Sequence, residues 1–292
     1  MERNKSFQNK PMLYLISTPI GNLGEISKRT IEVLESCDLV GAEDTRNSSN
    51  LLNYLGIKKP MISVHEHNER AGSEQIVNKI KEGKTVAYMS DAGYPGISDP
   101  GVILVEECIK NDIPVSVING SSAFLTALVA SGLPTNHFYF YGFLPSKDSD
   151  AKKELEKLAN KDETLIFYES PHRIIRTLEI LALELGDRKA CLARELTKIN
   201  EEYIRGTLNE LKDIDESTLK GEMVLIIEGN TQENFIDDNK ILKRYEELLL
   251  KNISSKTCIE IVSEELEINK NYVKSLVISK KWIAESQFIF LV

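Results

Sequence analysis

Short apolar runs alternate with segments of helical spacing along the first part of the chain. The apolar runs predict strands at 12–17, 38–42, 61–64, 85–89 and 114–118. The segments between and after them predict helices at 26–36, 47–55, 70–81, 102–110 and 123–131. Alternation of this kind predicts an open, mostly parallel sheet that is covered by helices.

A second alternation follows the linker at 132–135, which contains Gly132 and Pro134. It predicts strands at 137–142 and 164–168 and helices at 150–160 and 172–185. Three further runs, at 188–193, 203–207 and 223–228, lie close together in the chain and predict an antiparallel portion.

The character of the chain changes after Gly229, where the polar segment 231–240 reads as a linker. Three short helices are predicted beyond it, at 241–250, 255–266 and 269–278. The final FIFLV is apolar without a period, so it either docks into the body or is foreign to the domain. We therefore expect an N-terminal α/β domain at 1–132, a second α/β domain at 133–230 and a small helical tail at 231–292.

The composition is that of an ordinary globular protein, with 292 residues of which 41% are hydrophobic and 28% charged. The cysteines are scattered without a C-x-x-C spacing, which argues against a zinc site or a disulfide framework and fits a reducing cytoplasm. No apolar run approaches the roughly 18 residues of a membrane span, and the N-terminus lacks the apolar core of a signal peptide. These features predict a cytoplasmic protein with no membrane partner and no metal.

Three Gly-rich turns follow predicted strands, at 18–22, 91–101 and 119–122. Strand ends gather along one edge of an open α/β sheet, so these turns can line one crevice, with Pro19, Gly21, Gly93 and Gly96 in contact with a ligand. The G-x-G-x-x-G and G-x-x-x-x-G-K-[ST] patterns are missing, which disfavours a dinucleotide or a nucleoside triphosphate. The crevice suits a small, zwitterionic, partly nucleosidic ligand.

Several longer segments resemble one known family. They are TPIGNLGEISKRT, AEDTRNSSNLLNYLGI, SDAGYPGISDPG, SGLP, FYGFLP, YESPHRI and ARELTKINEEYIRGTL, in this order between residues 13 and 229. Together they resemble the ribosomal RNA small-subunit methyltransferase I family, in the tetrapyrrole-methylase-like class of S-adenosylmethionine enzymes. One departure is Asn119-Gly120, which stands where such proteins usually have Pro-Gly. Asn tolerates turn geometry, so we expect a modest local effect.

The resemblance implies an α/β, two-domain, dimeric fold and 2′-O-methylation of a cytidine ribose in 16S rRNA of the small ribosomal subunit. The methyl donor, S-adenosylmethionine, would lie between the two domains. Asp91 and Tyr94 would then lie near its methionine or ribose portion, and Ser121 and Ser122 would hold its polar end. The segment around Phe143 would enclose the adenine, and the backbone near Glu195 and Leu196 would complete that pocket.

The ribose hydroxyl is a poor nucleophile, so positioning and a group that accepts its proton both matter. Among residues of suitable chemistry, which include Glu43 and His172, the predicted catalytic set is Asp44, Arg46, Glu195 and Lys198. Each has a structural alternative. Asp44 could cap the following helix, His172 could pack at a helix start, Arg194 and Glu195 could form an ion pair, and Lys198 could be solvated.

The net charge is −9, whereas a nucleic-acid binder usually carries a basic surplus, so RNA contact needs a local basic patch. The predicted RNA-binding residues are Arg29, Arg46, His172, Arg173 and Arg176, with Lys28 and Lys198 nearby. Such a patch is small, so we expect the substrate to be an assembled subunit. Two other functions stay open, namely a tetrapyrrole C-methyltransferase and a non-catalytic ribosome-assembly factor that binds S-adenosylmethionine.

Overall fold

The computed structural model describes residues 11–231, 238–266, 268 and 270–278. The chain divides into two compact units, at Met1–Asn230 and Thr231–Val292. Among the described residues, no helix has the length and apolar character needed to cross a membrane.

The first unit begins with a five-stranded sheet in the order β3-β2-β4-β1-β5, in which every neighbouring pair is parallel. Its strands are β1 (Leu13–Ile16), β2 (Leu39–Ala42), β3 (Met61–Ser63), β4 (Val86–Met89) and β5 (Val115–Ile118). Its helices are α1 (Lys28–Ser36), α2 (Thr45–Tyr54), α3 (Glu69–Lys81), α4 (Val102–Lys110) and α5 (Ala123–Ser131). The predicted parallel sheet is confirmed.

Strand β4 is buried on both faces of the sheet, as expected of a strand covered by helices on both sides. Tyr88 packs in one apolar cluster, and its neighbours Ala87 and Met89 pack in the other, because successive side chains of a strand point to opposite faces. The Tyr88 hydroxyl donates to the Val64 carbonyl at 3.0 Å and contacts the Pro100 carbonyl at 3.3 Å. This side chain therefore ties the core to the loop after β4.

A second five-stranded sheet, in the order β6-β7-β10-β8-β9, completes the first unit. Its strands are β6 (Phe138–Phe143), β7 (Thr164–Glu169), β8 (Lys189–Arg194), β9 (Glu202–Thr207) and β10 (Met223–Ile227). Its helices are α6 (Asp148–Leu158), α7 (Ile174–Leu185) and α8 (Leu208–Leu211). Strands β6 and β7 are parallel and the other pairs antiparallel, which confirms the predicted antiparallel portion.

Two details of the second sheet differ from the prediction. Helix α7 begins at Ile174, because Ser170 and Pro171 form a turn in which the Ser170 carbonyl accepts the Arg173 and Ile174 N–H groups. Helix α8 was not predicted, since four residues are too few to show a helical period. It is fixed locally by a capping box, in which Thr207 and Glu210 each accept the other's backbone N–H.

The second unit is helical in its described part, as predicted. It contains α9 (Asp238–Leu249), α10 (Ser255–Glu265) and helical residues at 270–278. Tyr245, Cys258, Val262 and Val273 are buried in its own apolar core. The terminal FIFLV lies outside the described residues.

Candidate functional site

Three loops meet at one edge of the first sheet, because β1, β4 and β5 are adjacent and run in the same direction. The loops after β1 and β4 are joined by two backbone hydrogen bonds between Thr18 and Gly93, with N···O distances of 2.9 and 3.1 Å. The loop after β5 comes close at Gly120, where an added Cβ would lie 2.8 Å from the Ser17 carbonyl oxygen. The close approach therefore requires glycine at this position.

A cavity of about 660 Å³, here called the large cavity, is lined by these loops and by the second sheet. From the first sheet its lining comprises Ile20, Glu43 and residues 91–94, 97–99 and 122–124. From the second sheet it comprises Phe143, Leu196, Lys198 and residues 168–171 and 221–224. Its volume lies within the range of about 300–1,000 Å³ that is typical of small-molecule sites.

Aromatic side chains form one wall of the large cavity. Phe143 and Tyr168 pack edge to face with their ring centroids 5.5 Å apart. Phe140 supports this wall from behind, at 4.7 Å from Phe124 and 5.1 Å from Tyr168. Burial raises the pKa of Tyr168 to about 12, so its ring stays neutral. A flat, neutral, apolar wall of this kind suits an aromatic heterocycle.

Carboxylates also line the large cavity. The Glu43 carboxylate accepts the backbone N–H of Asp91 at 3.2 Å. The negative charges of Glu43 and Asp91 both act on the carboxyl of Asp99. Burial, with the neighbouring charges of Glu43 and Asp91, raises the pKa of Asp99 to about 7. Burial also raises the pKa of Glu43. A cationic ligand would relieve this repulsion, whereas no three His, Cys or carboxylate groups among the described residues are arranged to hold a metal ion.

The loop after β4 owes its shape to two glycines and to a carboxylate from helix α3. An added Cβ on Gly101, whose φ is +145°, would lie 2.9 Å from the Gly96 nitrogen. The Glu69 carboxylate accepts the Gly101 N–H at 2.8 Å and the Ile103 N–H at 3.3 Å. Helix α4 has no side-chain cap from Gly101 itself, so Glu69 supplies the missing acceptor from a neighbouring helix.

The segment Arg194–Lys198 of the second sheet contributes Leu196 and Lys198 to the cavity lining. Its backbone is strained, with φ of +51° at Glu195 and +66° at Thr197. The Lys198 ammonium contacts the carboxylates of Glu195 at 2.9 Å and Glu222 at 3.2 Å. Burial alone would lower the pKa of Lys198, but these two carboxylates outweigh it and raise the pKa. The Arg194–Glu195 ion pair, which the sequence left open as a structural alternative, does not form, since Arg194 pairs with Glu202 at 2.6 Å.

The structure brings most of the predicted cofactor-binding residues together. Asp91, Gly93, Tyr94, Ser122, Phe143 and Leu196 all line the large cavity. The others lie around it. Gly96 shapes the loop after β4, the Ser121 hydroxyl donates to Glu25 at 2.8 Å, and Gly21 packs against the Lys198 side chain. Pro19 lines a different cavity.

Of the predicted catalytic residues, Lys198 lines the large cavity and Glu195 contacts Lys198. Asp44 caps helix α2 by accepting the Arg46 N–H at 2.8 Å, which is the structural alternative raised by the sequence. The Arg46 guanidinium also contacts both Asp44 oxygens and lowers the pKa of that carboxyl to about 2. Asp44 is therefore ionised and a weak proton acceptor.

The predicted RNA-binding arginines have acidic or carbonyl partners. Arg29 lies 3.6 Å from Glu32, and Arg176 contacts Asp148 at 2.6 Å. Arg173 donates to the Leu144 carbonyl at 3.0 Å, while His172 is exposed. Their role in RNA binding stays a prediction.

A second cavity of about 260 Å³, here called the small cavity, lies beside the large one. Its lining comprises Thr18, Pro19, Leu23, Asn47, Ser48, Asn50, Leu51, Tyr54, Ser90 and Asp91. Asp91 lines both cavities.

Sequence reasoning missed Phe124, Tyr168 and the segment 221–224 as parts of the site. Tyr168 ends a predicted strand, so an aromatic residue at a carboxyl strand end was an available signal. The segment 221–224 offered none, because Gly221 and Glu222 look like an ordinary turn.

Comparison with known proteins adds a family and close relatives. The family described as Tetrapyrrole (Corrin/Porphyrin) Methylases matches residues 12–212. A relative from Halalkalibacterium halodurans, named Ribosomal RNA small subunit methyltransferase I, is 47% identical over 79% of this chain and 81% of its own. A protein of the same name from Bacillus subtilis is 39% identical over 94% of this chain and 97% of its own.

Solved structures share the fold at low sequence identity. The methyltransferase CobJ is 19% identical with a TM-score of 0.58, over 76% of this chain and 95% of its own. Diphthine synthase is 16% identical with a TM-score of 0.58, over 76% of this chain and 91% of its own.

Proposed function

The chain belongs to the tetrapyrrole methylase family and, within it, to the ribosomal RNA small subunit methyltransferase I proteins, and from this premise we propose that it methylates the 2′-hydroxyl of a cytidine in 16S rRNA with S-adenosylmethionine. The observation that carries the proposal is the large cavity, whose lining combines aromatic side chains with carboxylates. The family description names tetrapyrroles, but the relatives at 39% and 47% identity are named for ribosomal RNA, which favours the RNA substrate. The assembly-factor function has no observation of its own in its favour.

The residues of the large cavity fit S-adenosylmethionine. Phe124, Phe143 and Tyr168 offer a surface for adenine, whereas Asp91 and Asp99 offer acceptors for ribose hydroxyls and the ammonium group. Besides burial, the charges of Glu43 and Asp91 raise the pKa of Asp99, so the carboxylates of the cavity repel one another. A ligand with a sulfonium and an ammonium group supplies the missing positive charge.

When bound, S-adenosylmethionine supplies a methyl group whose carbon–sulfur bond breaks, with its electron pair going to sulfur, as the ribose oxygen bonds to the carbon. The hydroxyl proton must leave to a carboxylate or to water, and the carboxylates of the large cavity supply such acceptors. Lys198, fixed by Glu195 and Glu222, brings a positive charge that stabilises the negative charge developing on the ribose oxygen. Arg46, exposed at the start of α2, is suited to hold a phosphate of the RNA.

We further propose that the substrate is the assembled small subunit and that the protein acts in the cytoplasm as a homodimer. The net charge of −9 disfavours binding of naked RNA, so the shape of the subunit has to supply additional contacts. Helix α5 is apolar on two sides. Ala127 and Leu128 pack on the second sheet, while Leu125 and Val129 are exposed and offer a surface to a second copy.

The test is transfer of tritiated methyl from S-adenosylmethionine to small subunits taken from cells that lack this methylation, followed by digestion to nucleosides. Label in 2′-O-methylcytidine supports the proposal. Label in another nucleoside, or only in porphyrinogen-type compounds, overturns the substrate but keeps the donor. Binding of the donor by calorimetry without transfer to either substrate leaves the assembly-factor function.

A further inference from the structure

The small cavity lies directly against the large one. Thr18 of the small cavity pairs through its backbone with Gly93 of the large cavity, so the two cavities meet at these loops. Asp91 is exposed to both sides. The geometry points to a site for the acceptor nucleotide in the small cavity, with its ribose hydroxyl against Asp91, an inference that rests on the proposed function.

One face of helix α2 forms a wall of this cavity. Asn47, Asn50, Leu51 and Tyr54 are spaced by three, one and three residues, which places them on the same side of the helix. The Asn47 amide donates to one Asp91 oxygen at 2.8 Å, and the Asp44 N–H approaches the other at 3.3 Å. These contacts hold the Asp91 carboxylate in place and leave lone pairs on it for a hydroxyl donor.

The remaining side chains have the chemistry of a site for one unstacked base. The side chain of Tyr54, a large aromatic residue, is unusually open to solvent, with 62% of the residue exposed. Proteins that bind single nucleotides stack bases on such rings and read their edges with hydrogen-bonding side chains. The exposed Asn50 amide has both donors and an acceptor, which match the amino group and carbonyl oxygen of cytosine. Pro19 and Leu23 add an apolar surface.

The volume decides what can occupy the small cavity. At about 260 Å³ it falls below the roughly 300–1,000 Å³ of sites for larger ligands, so it accommodates one nucleoside and not a run of stacked bases. The target cytidine must therefore be turned out of its stack, as in other enzymes that modify a nucleotide within RNA or DNA. Arg46, an exposed residue in the first turn of the same helix, has the chemistry to bind a phosphate next to the target cytidine.

The experiment uses the full chain with Tyr54→Ala, Tyr54→Phe and Asn50→Ala, and with Asn53→Ala as the matched control. Asn53 is an exposed asparagine of the same helix that does not line the cavity. Four quantities are measured: kcat/KM for methyl transfer to small subunits, the Kd of S-adenosylmethionine by calorimetry, binding of cytidine monophosphate by saturation-transfer NMR, and helicity by circular dichroism.

We expect Tyr54→Ala to lower kcat/KM by about 10- to 100-fold, the loss typical of one stacked base, and Tyr54→Phe to restore it. Asn50→Ala should also lower it, whereas Asn53→Ala should not. The Kd of the donor should stay within twofold in all variants, and the cytidine monophosphate signal should disappear in Tyr54→Ala.

Wild-type kcat/KM in Tyr54→Ala and Asn50→Ala would overturn the site while the proposed function stands. So would a weakened donor Kd in a well-folded variant, because the cavity would then belong to the donor. A wild-type protein that transfers no methyl group to subunits would refute the function first and this site with it.

Discussion

At the scale of single residues, the carboxyl of Asp99 is the group most affected by its surroundings in the large cavity. Burial, Glu43 and Asp91 raise its pKa to about 7, so it is protonated at mildly acidic pH when no cation lies beside it. A cationic donor favours the ionised form, and binding below about pH 7 must therefore release a proton. We expect the affinity for S-adenosylmethionine to rise with pH between 5 and 7, by at most about tenfold per unit.

Calorimetry in buffers of different ionisation enthalpy measures the released proton. Asp99→Asn should flatten the pH dependence, and S-adenosylhomocysteine, which lacks the sulfonium charge, should show less of it.

The raised pKa of Asp99 also has a consequence for stability. An unfolded Asp ionises near pH 3.9, so without added donor the protein should lose stability as pH rises from about 4 to about 7. An unchanged pH profile in Asp99→Asn would contradict this assignment.

Gly221 is required by the Glu195 side chain as well as by its own backbone. It has φ of +81°, and an added Cβ would overlap the Glu195 carboxylate. Gly83 has a similar φ of +95° with open space around it, so Gly83→Ala measures the backbone cost alone, about 1–2 kcal/mol. Gly221→Ala should lose more stability than Gly83→Ala in urea unfolding and should also lower methyl transfer, because Glu195 then no longer fixes Lys198. Equal losses with normal activity would contradict this role.

Residue types were easier to predict than their partners. The sequence indicated Glu195 and Lys198 as polar residues of the site, and it left a cap as one possible role of Asp44. It could not show that Lys198 contacts Glu222, since these residues are 24 positions apart and meet only because β10 pairs with β8. Ion pairs between segments depend on strand register, which a single sequence does not specify at this precision.

At the scale of elements, Glu69 links two helices to the loop after β4. Its carboxylate caps α4 by accepting the N–H groups of Gly101 and Ile103. Glu69→Ala should cost about 1–2 kcal/mol of unfolding free energy, the usual loss for a charged acceptor at a helix start. It should also weaken donor binding, because the loop would lose an anchor. Glu74→Ala, at an exposed position of α3, should change stability by less than about 0.5 kcal/mol in the same urea titration. Equal effects of the two substitutions would show that the cap contributes nothing.

Elements with a strong apolar pattern were predicted closely. Helices α4 and α5 have the predicted bounds, because each follows a Gly- or Ser-containing turn and α5 ends at Gly132 in the left-handed conformation. Helix α8 was missed because its four residues are too few to show a helical period, and only its capping box indicates a helix start. Burial of β4 on both faces was consistent with its continuous apolar run.

At the scale of the whole molecule, the large cavity combines segments that no local pattern connects. Its lining comes from both sheets, and its aromatic residues Phe124, in α5, and Tyr168, in β7, belong to distant parts of the chain. Each sheet could be predicted from periodicity, but the way they face each other depends on packing around α5. The resemblance to a family supplied this part of the prediction, and the pattern of apolar residues did not.

The exposed side of α5 makes the last prediction, which concerns the oligomeric state. Val129 is 75% exposed on a helix that has almost no polar residue, and burial of that surface by a second copy would account for its composition. Light scattering coupled to size-exclusion chromatography should therefore give a mass of twice 32.9 kDa for the wild type. Val129→Asp should give the single mass with unchanged circular dichroism, because a charge cannot be buried there without a partner. Leu183→Asp is the matched control, since Leu183 is 69% exposed on α7. A wild type that is monomeric, or a Val129→Asp variant that stays dimeric, would mean that the apolar side of α5 binds something other than a second copy of the chain.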